Sequence, residues 1–208
     1  MKHSNFKFKQ LMISVFLLVI CNKVNAQEAK VWSVDHAHSV IDFTVTHFFT
    51  PVNGTFDKFD LNLKFDPNDL DHSQIDVSIP VSSVNTRNER RDNHLRSPDF
   101  FDAEKYPAMS FKSSKIVKAQ DGFIAKGVLQ IKDVKKEIEL PFKLLGIKEL
   151  PEVMSQRMGG VKEIGSFHAS YKINRTDYKV GTGNWASTVV VGDEVDIEIS
   201  IEADYSGL

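Results

Sequence analysis

The chain has 208 residues, 41% hydrophobic and 26% charged, with a formal net charge of −2. That length can bury the core of one domain, and the absence of excess positive charge speaks against a general nucleic-acid binder. The single cysteine, Cys21, excludes a disulfide framework.

Residues 1–26 read as a signal peptide. Lys2, Lys7 and Lys9 form a basic start, Leu11 to Ile20 is an apolar run too short to span a bilayer comfortably, and Val24-Asn25-Ala26 suits a cleavage site. A lipid anchor through Cys21 is the rival reading, but bulky Ile20 stands where that modification wants a small residue. Export then predicts a secreted domain over residues 27–208. With 22 basic against 28 acidic residues it carries a net charge of −6, and it has no cysteine.

Period two dominates the domain. Ile41, Phe43, Val45, His47 and Phe49 share one face, and Phe59, Leu61, Leu63 and Phe65 another. Ile75, Val77 and Ile79 follow an Asp66-Pro67-Asn68-Asp69 turn. A break comes between Val81 and Phe111, first dense in charge and then in aromatics. It predicts a short helix capped by Asn85 or Thr86, and a second helical start at Ser97-Pro98, the whole acting as a lid or plug. Strands resume at Met109 and Phe111, then at Phe123, Ala125, Gly127, Leu129 and Ile131, and at Ile138, Leu140, Phe142 and Leu144. The last two carry Phe167, Ala169, Tyr171 and Ile173, and Val195, Ile197, Ile199, Ile201 and Ala203. Asp121-Gly122 and Val191-Gly192-Asp193 suit hairpin turns. One wet and one dry face per strand points to an antiparallel sheet. Eight long strands of this kind favour closure into an all-β, eight-stranded extended barrel with a helical insert. Pattern alone leaves a filled core and a ligand cavity equally open.

The chain resembles the YceI family of secreted, lipocalin-like proteins. The matching stretches are Trp32-Ser33-Val34-Asp35 with His38-Ser39, Phe43 with His47, and Gly54-Thr55-Phe56 with Phe59. The most specific is the central run: Val84-Asn85-Thr86, Arg91-Asp92-Asn93-His94-Leu95, Asp99-Phe100-Phe101 and Tyr106-Pro107. The tail matches through Ile173-Asn174-Arg175 and Asp177-Tyr178. The resemblance implies a lipocalin-like barrel whose lumen takes a polyisoprenoid or other long-chain lipid, and a periplasmic site. Asp133 and Lys135 depart from the family's usual turn, and Lys179 stands where the family often has Gly. Gly146 to Val161 reads as a variable loop over one barrel end.

The lumen wall is expected to include Phe43, Val45, Phe59, Leu63, Phe100, Phe101, Phe111, Ala125, Gly127, Leu129, Phe142, Phe167, Ala169 and Ile199. A bulky residue at Gly127 is expected to block uptake while sparing the fold. His47, Arg91 and His94 are the candidate polar contacts for a head group. For His47 the competing reading is a core histidine satisfied by one hydrogen bond. For Arg87, Arg90, Arg91, His94 and Arg96 it is a solvated charge network with Glu89, Asp92 and Asp99, or an Arg91–Asp92 pair that fixes the insert, rather than a diphosphate clamp. His36 and His38 share a face without an evident third ligand, so no metal is expected. No Gly-x-Ser-x-Gly elbow or phosphate loop occurs, and Asp35, His38 and Ser39 lie too close in sequence to make an ordinary triad. The expectation is a carrier without cofactor, not an enzyme. Its partners would be a lipid, a transient membrane contact and a second copy of the chain. An enzyme acting on such a lipid and a filled-core structural barrel are the rivals.

Overall fold

The alternating segments form antiparallel strands that close on themselves. The computed structural model describes residues 28–187 and 189–207; the signal peptide expected over residues 1–26 and its cleavage site lie outside them. β1 (Val31–Val34) and β2 (Val40–His47) run in line, broken at Asp35–Ser39. β3 (Thr50–Phe56) and β4 (Asp60–Lys64) return beside them, and β5 (Gln74–Pro80) with the two-residue β6 (Val84–Asn85) makes a third broken stave. β7 (Ala108–Ala119), β8 (Gly122–Ile131), β9 (Val134–Glu149), β10 (Glu163–Asn174) and β11 (Val191–Tyr205) follow. β11 pairs with β2 through its first half and with β1 near its end. Each stave therefore lies beside its neighbour in sequence, and the eighth meets the first: an up-and-down antiparallel barrel of eight staves.

The meander sends connections alternately to two ends. The upper end carries the β2–β3 turn, the insert between β6 and β7 with helix α1 (Glu89–Arg96), the β8–β9 turn and the loop 175–190. The lower end carries the 65–73 loop, the Gln120–Asp121 turn and helix α2 (Glu152–Arg157), which lies in the expected variable loop.

The lower end is packed solid. Phe65 is 0% exposed. It meets Phe123, Phe142 and Phe167 edge-on, at centroid distances of 5.1, 5.5 and 5.6 Å. The Trp32 indole N–H donates to the Phe65 carbonyl at 2.9 Å, which satisfies the polar handle of a ring otherwise packed on Phe167. Each fully buried aromatic here contributes about 1.5–3 kcal/mol of hydrophobic stabilisation.

Several local expectations are corrected. The helix cap is Asn88, whose side chain accepts from the Arg91 N–H at 3.0 Å, not Asn85 or Thr86. Ser97 ends α1 instead of starting a second helix: its hydroxyl donates to the His94 carbonyl, and its own carbonyl receives the Phe100 and Asp102 amides in tight turns. Val191-Gly192-Asp193 is not a hairpin turn. It opens β11, with a register shift before Val195. β2 ends at His47, so Phe49 does not continue its apolar face.

Candidate functional site

The upper part of the barrel is hollow. Ile138 and Leu140 on β9, Tyr171 and Ile173 on β10, Val195 and Ile197 on β11, and Phe43 and Val45 on β2 are only half-buried. Their outward neighbours on β9, such as Glu137 and Glu139, are exposed, so the alternation is intact and the inward side chains face empty space. That space is a cavity of about 230 Å³ with an almost wholly apolar surface. It lies a little below the range of drug-sized pockets, roughly 300–1,000 Å³, on the scale of one slender chain. Leu63, Phe142 and Phe167 lie at its floor, above the Phe65 cluster.

Its roof is the insert and the loop 175–190. Phe100 is buried, Phe101 and Leu95 half-buried, and all three reach the cavity; a turn rather than a strand lets both phenylalanines do so. Phe101 meets Phe56 edge-on at 6.1 Å, and Phe56 leans on Phe43 at 5.4 Å. Phe43 lies over Gly54, where a Cβ would strike the Phe43 ring and come within 2.9 Å of Thr86 Cγ2. Gly54 thus makes room for a wall residue.

Arg175 organises the second half of the roof. It is 4% exposed and borders the cavity. Its Nε donates to the Gly192 carbonyl, one terminal nitrogen to Val180 and Gly181, and the other to Trp185 and Val191. All five N–H groups go to backbone carbonyls, so one guanidinium gathers the loop around itself. Burial pulls its pKa down, with Asp193 acting the other way. Neighbouring Tyr178 is also buried, which pushes its phenol up to about 12.

Lys132 straps the two halves of the roof together, donating to the Phe100 carbonyl at 2.8 Å and the Lys179 carbonyl at 3.0 Å. Burial lowers its pKa. Lys179 and Asp133, two of the three departures noted in the sequence, pair with each other at 2.8 Å. Lys179 takes a left-handed conformation, φ 58°, which explains why a glycine suits this position.

Of the fourteen expected wall residues, twelve line the cavity, and Ala125 and Gly127 do not. Ala125 is fully buried below it. Gly127 faces β7 at a register shift, where a Cβ would collide with the Lys112 carbonyl and lie 2.8 Å from Ser113 Cα. A bulky residue there would disturb strand pairing, so the expectation of a spared fold is overturned.

None of the three polar candidates lines the cavity. His47 is exposed at the end of β2, its ring against Phe48, so it is neither a core histidine nor a wall residue. Arg91 turns back onto Thr86, with Nε on the hydroxyl at 2.7 Å and a terminal nitrogen on the carbonyl. Asp92 is buried and holds the amide and hydroxyl of the same Thr86. Arg91 and Asp92 therefore fix the insert through Thr86 rather than as a direct pair. Arg96 donates to the Ser82 and Val84 carbonyls and to Asn93. Those donors are committed within the protein, and a diphosphate clamp is not assembled from them. His94 is bracketed by Phe100 and Trp185 and bonded to Asp99, clasping the insert to the loop.

His36 and His38 diverge. His36 packs on Phe59, and His38 joins Asp35 at 2.8 Å and Glu202 at 3.8 Å where β1 gives way to β2. The bond to His38 holds the Asp35 carboxyl below its ordinary value, and Asp35 raises the imidazole. Glu202 was invisible as a partner because it lies on the last strand. The wall residues missing from the expected set include mid-strand positions such as Ile138, Leu140 and Ile197, and the strand-end and roof positions Met109, Ile131, Tyr178 and Val191.

A model of the YceI-like domain matches residues 32–203. The chain belongs to the YceI-like domain family. A UPF0312 protein of Staphylococcus aureus is 32% identical over 178 residues, covering 84% of this chain and 98% of its own. The crystal structure of Burkholderia cenocepacia BcnA superposes with a TM-score of 0.71 at 27% identity, over 82% of this YceI-like chain and 99% of BcnA. A polyisoprenoid binding domain from Saccharophagus degradans, implicated in plant cell wall breakdown, superposes at 0.60 with 15% identity, over 85% of this chain and 99% of its own; at that identity the likeness bears on the fold.

Proposed function

We propose that this YceI-like protein is a binding protein and carrier for a long isoprenoid or fatty chain, held in the upper part of the barrel. The observation that carries this reading is the apolar cavity above a sealed floor. The polyisoprenoid-binding domain of the same fold supports it, as does family membership, and both favour binding over catalysis. Ten methylenes taken from water give roughly 8 kcal/mol before the cost of immobilising the tail. The wall offers a head group almost no polar surface, and burying an unpaired hydroxyl costs about 1–3 kcal/mol. The head group therefore stays at the roof or beyond it. The exported leader read from the sequence makes the periplasm the proposed compartment, where a carrier would move such a chain through water.

The test is extraction of protein purified from its native membrane-containing lysate, followed by mass spectrometry of the organic phase. Stoichiometric recovery of one intact long-chain lipid is expected. A lipid-free protein that also takes up no fluorescent fatty chain would contradict the reading, and a chemically converted lipid would favour an enzyme.

A further inference from the structure

Two aromatic side chains at the upper end stand largely in solvent, although the Phe48 ring rests edge-on against His47. At the β2–β3 turn, Phe49 is 96% exposed and Phe48 52% exposed. Phe48 also adopts φ 52°, a left-handed conformation that bulky residues rarely take. Strain of that kind persists only where the surroundings impose it, and it gathers at sites of function. The two-residue hairpin between His47 and Thr50 imposes it, and the Phe48 N–H donates to the Val190 carbonyl at 2.9 Å, joining the turn to the roof loop. Val189, on that loop, is 73% exposed. Three residues before Phe48, Val45 lines the cavity, as does Val191, the β11 partner of His47. The apolar tip thus stands at the upper end of β2 and β11, the two strands whose Val45 and Val191 line the cavity.

We propose that Phe48, Phe49 and Val189 dock this end of the barrel on a lipid surface, so that a chain passes between bilayer and cavity without crossing water. The inference rests on the carrier reading, since a long apolar chain resides in a bilayer before capture. The size of the tip selects this occupant over a second copy of the chain. Three such side chains present roughly 300–450 Å², about half of what each partner gives a stable protein interface, roughly 800 Å². Reversible attachment at a membrane interface needs only a few aromatic and aliphatic side chains at headgroup depth.

The test compares the wild type, Phe48→Ser/Phe49→Ser and, as a control at the lower end, Met154→Ser/Met158→Ser. Each is spun down with large phosphatidylcholine vesicles, and transfer of a fluorescent sixteen-carbon fatty acid from those vesicles is followed. The same probe is then titrated in vesicle-free buffer. The upper-end variant is expected to pellet less and to accept the probe roughly tenfold more slowly, with its vesicle-free affinity unchanged. The control is expected to match the wild type. Equal pelleting of wild type and upper-end variant would overturn the proposal. So would a wild-type dimer, seen by sedimentation without vesicles, that the two serines dissolve. Wild type that binds no probe in buffer would contradict the carrier reading, while pelleting still decides the tip.

Discussion

The two ends of the barrel are built on opposite terms. At the lower end Phe65, Phe123, Phe142 and Phe167 fill the lumen with edge-on rings. Every left-handed residue there, among the described residues, is a glycine: Gly122, Gly159, Gly160 and Gly207. At the upper end inward side chains stop short of one another, and the left-handed residues include Phe48, Arg87, Asp102, Lys132 and Lys179. One end carries the stability, and the other accepts strain and an empty space.

Four substitutions sharpen that contrast, from the largest effect to the smallest. Phe65→Ala should lower stability by about 3–5 kcal/mol, because it leaves a hole in a closed cluster. Urea unfolding reads that loss, while probe uptake per folded molecule should stay at the wild-type level. A large loss of uptake would show that the two ends are not separable. Arg175→Lys should cost about 2–4 kcal/mol, since an ammonium has three donors on one point and cannot satisfy five carbonyls spread around a planar fork. Unlike Phe65→Ala it should loosen the roof, seen as faster hydrogen exchange in residues 175–192.

Lys179→Gly should raise stability by about 0.5–1 kcal/mol, as removal of left-handed strain outweighs an exposed ion pair with Asp133. A drop in melting temperature would mean that the pair matters more than the backbone. The smallest effect concerns His38. Its pKa is raised by Asp35, so its contribution is present below the ordinary imidazole value of about 6.5 and is lost as pH climbs through the raised folded value. Asp35 is lowered, so its share is present at neutral pH and lost only in acid. The melting temperature should therefore slip slightly between pH 6 and pH 8, and His38→Ala should flatten that slope. Both groups sit in solvent, so the slope is shallow.

The barrel was legible in the sequence because period-two alternation survives in β5, β8, β9, β10 and β11, where one face is wet. β3 was not: Pro51, Asn53 and Gly54 interrupt its alternation, and its Gly54 makes sense only beneath the Phe43 ring. Phe100 and Phe101 were legible as cavity residues through the family resemblance, whereas Gly127 misled because an absent side chain looks the same whether it makes room for a ligand or for a neighbouring strand. Arg175 was visible as part of a motif, but its role depends on carbonyls up to seventeen residues away. His47 failed because a turn at Phe48 ends the strand one residue after it, and a backbone dihedral is not written in an alternation pattern.

The hollow upper part can be probed most directly by filling it. Ile197 faces the cavity from the middle of β11 and is only half-buried. Ile197→Trp should fold with a stability within about 1 kcal/mol of wild type, since it enters empty space rather than a packed core. Titration of a fluorescent long-chain fatty acid should give saturable binding to the wild type and at least a roughly tenfold weaker affinity for the variant. Equal affinities for two equally folded proteins would contradict a ligand site inside the barrel.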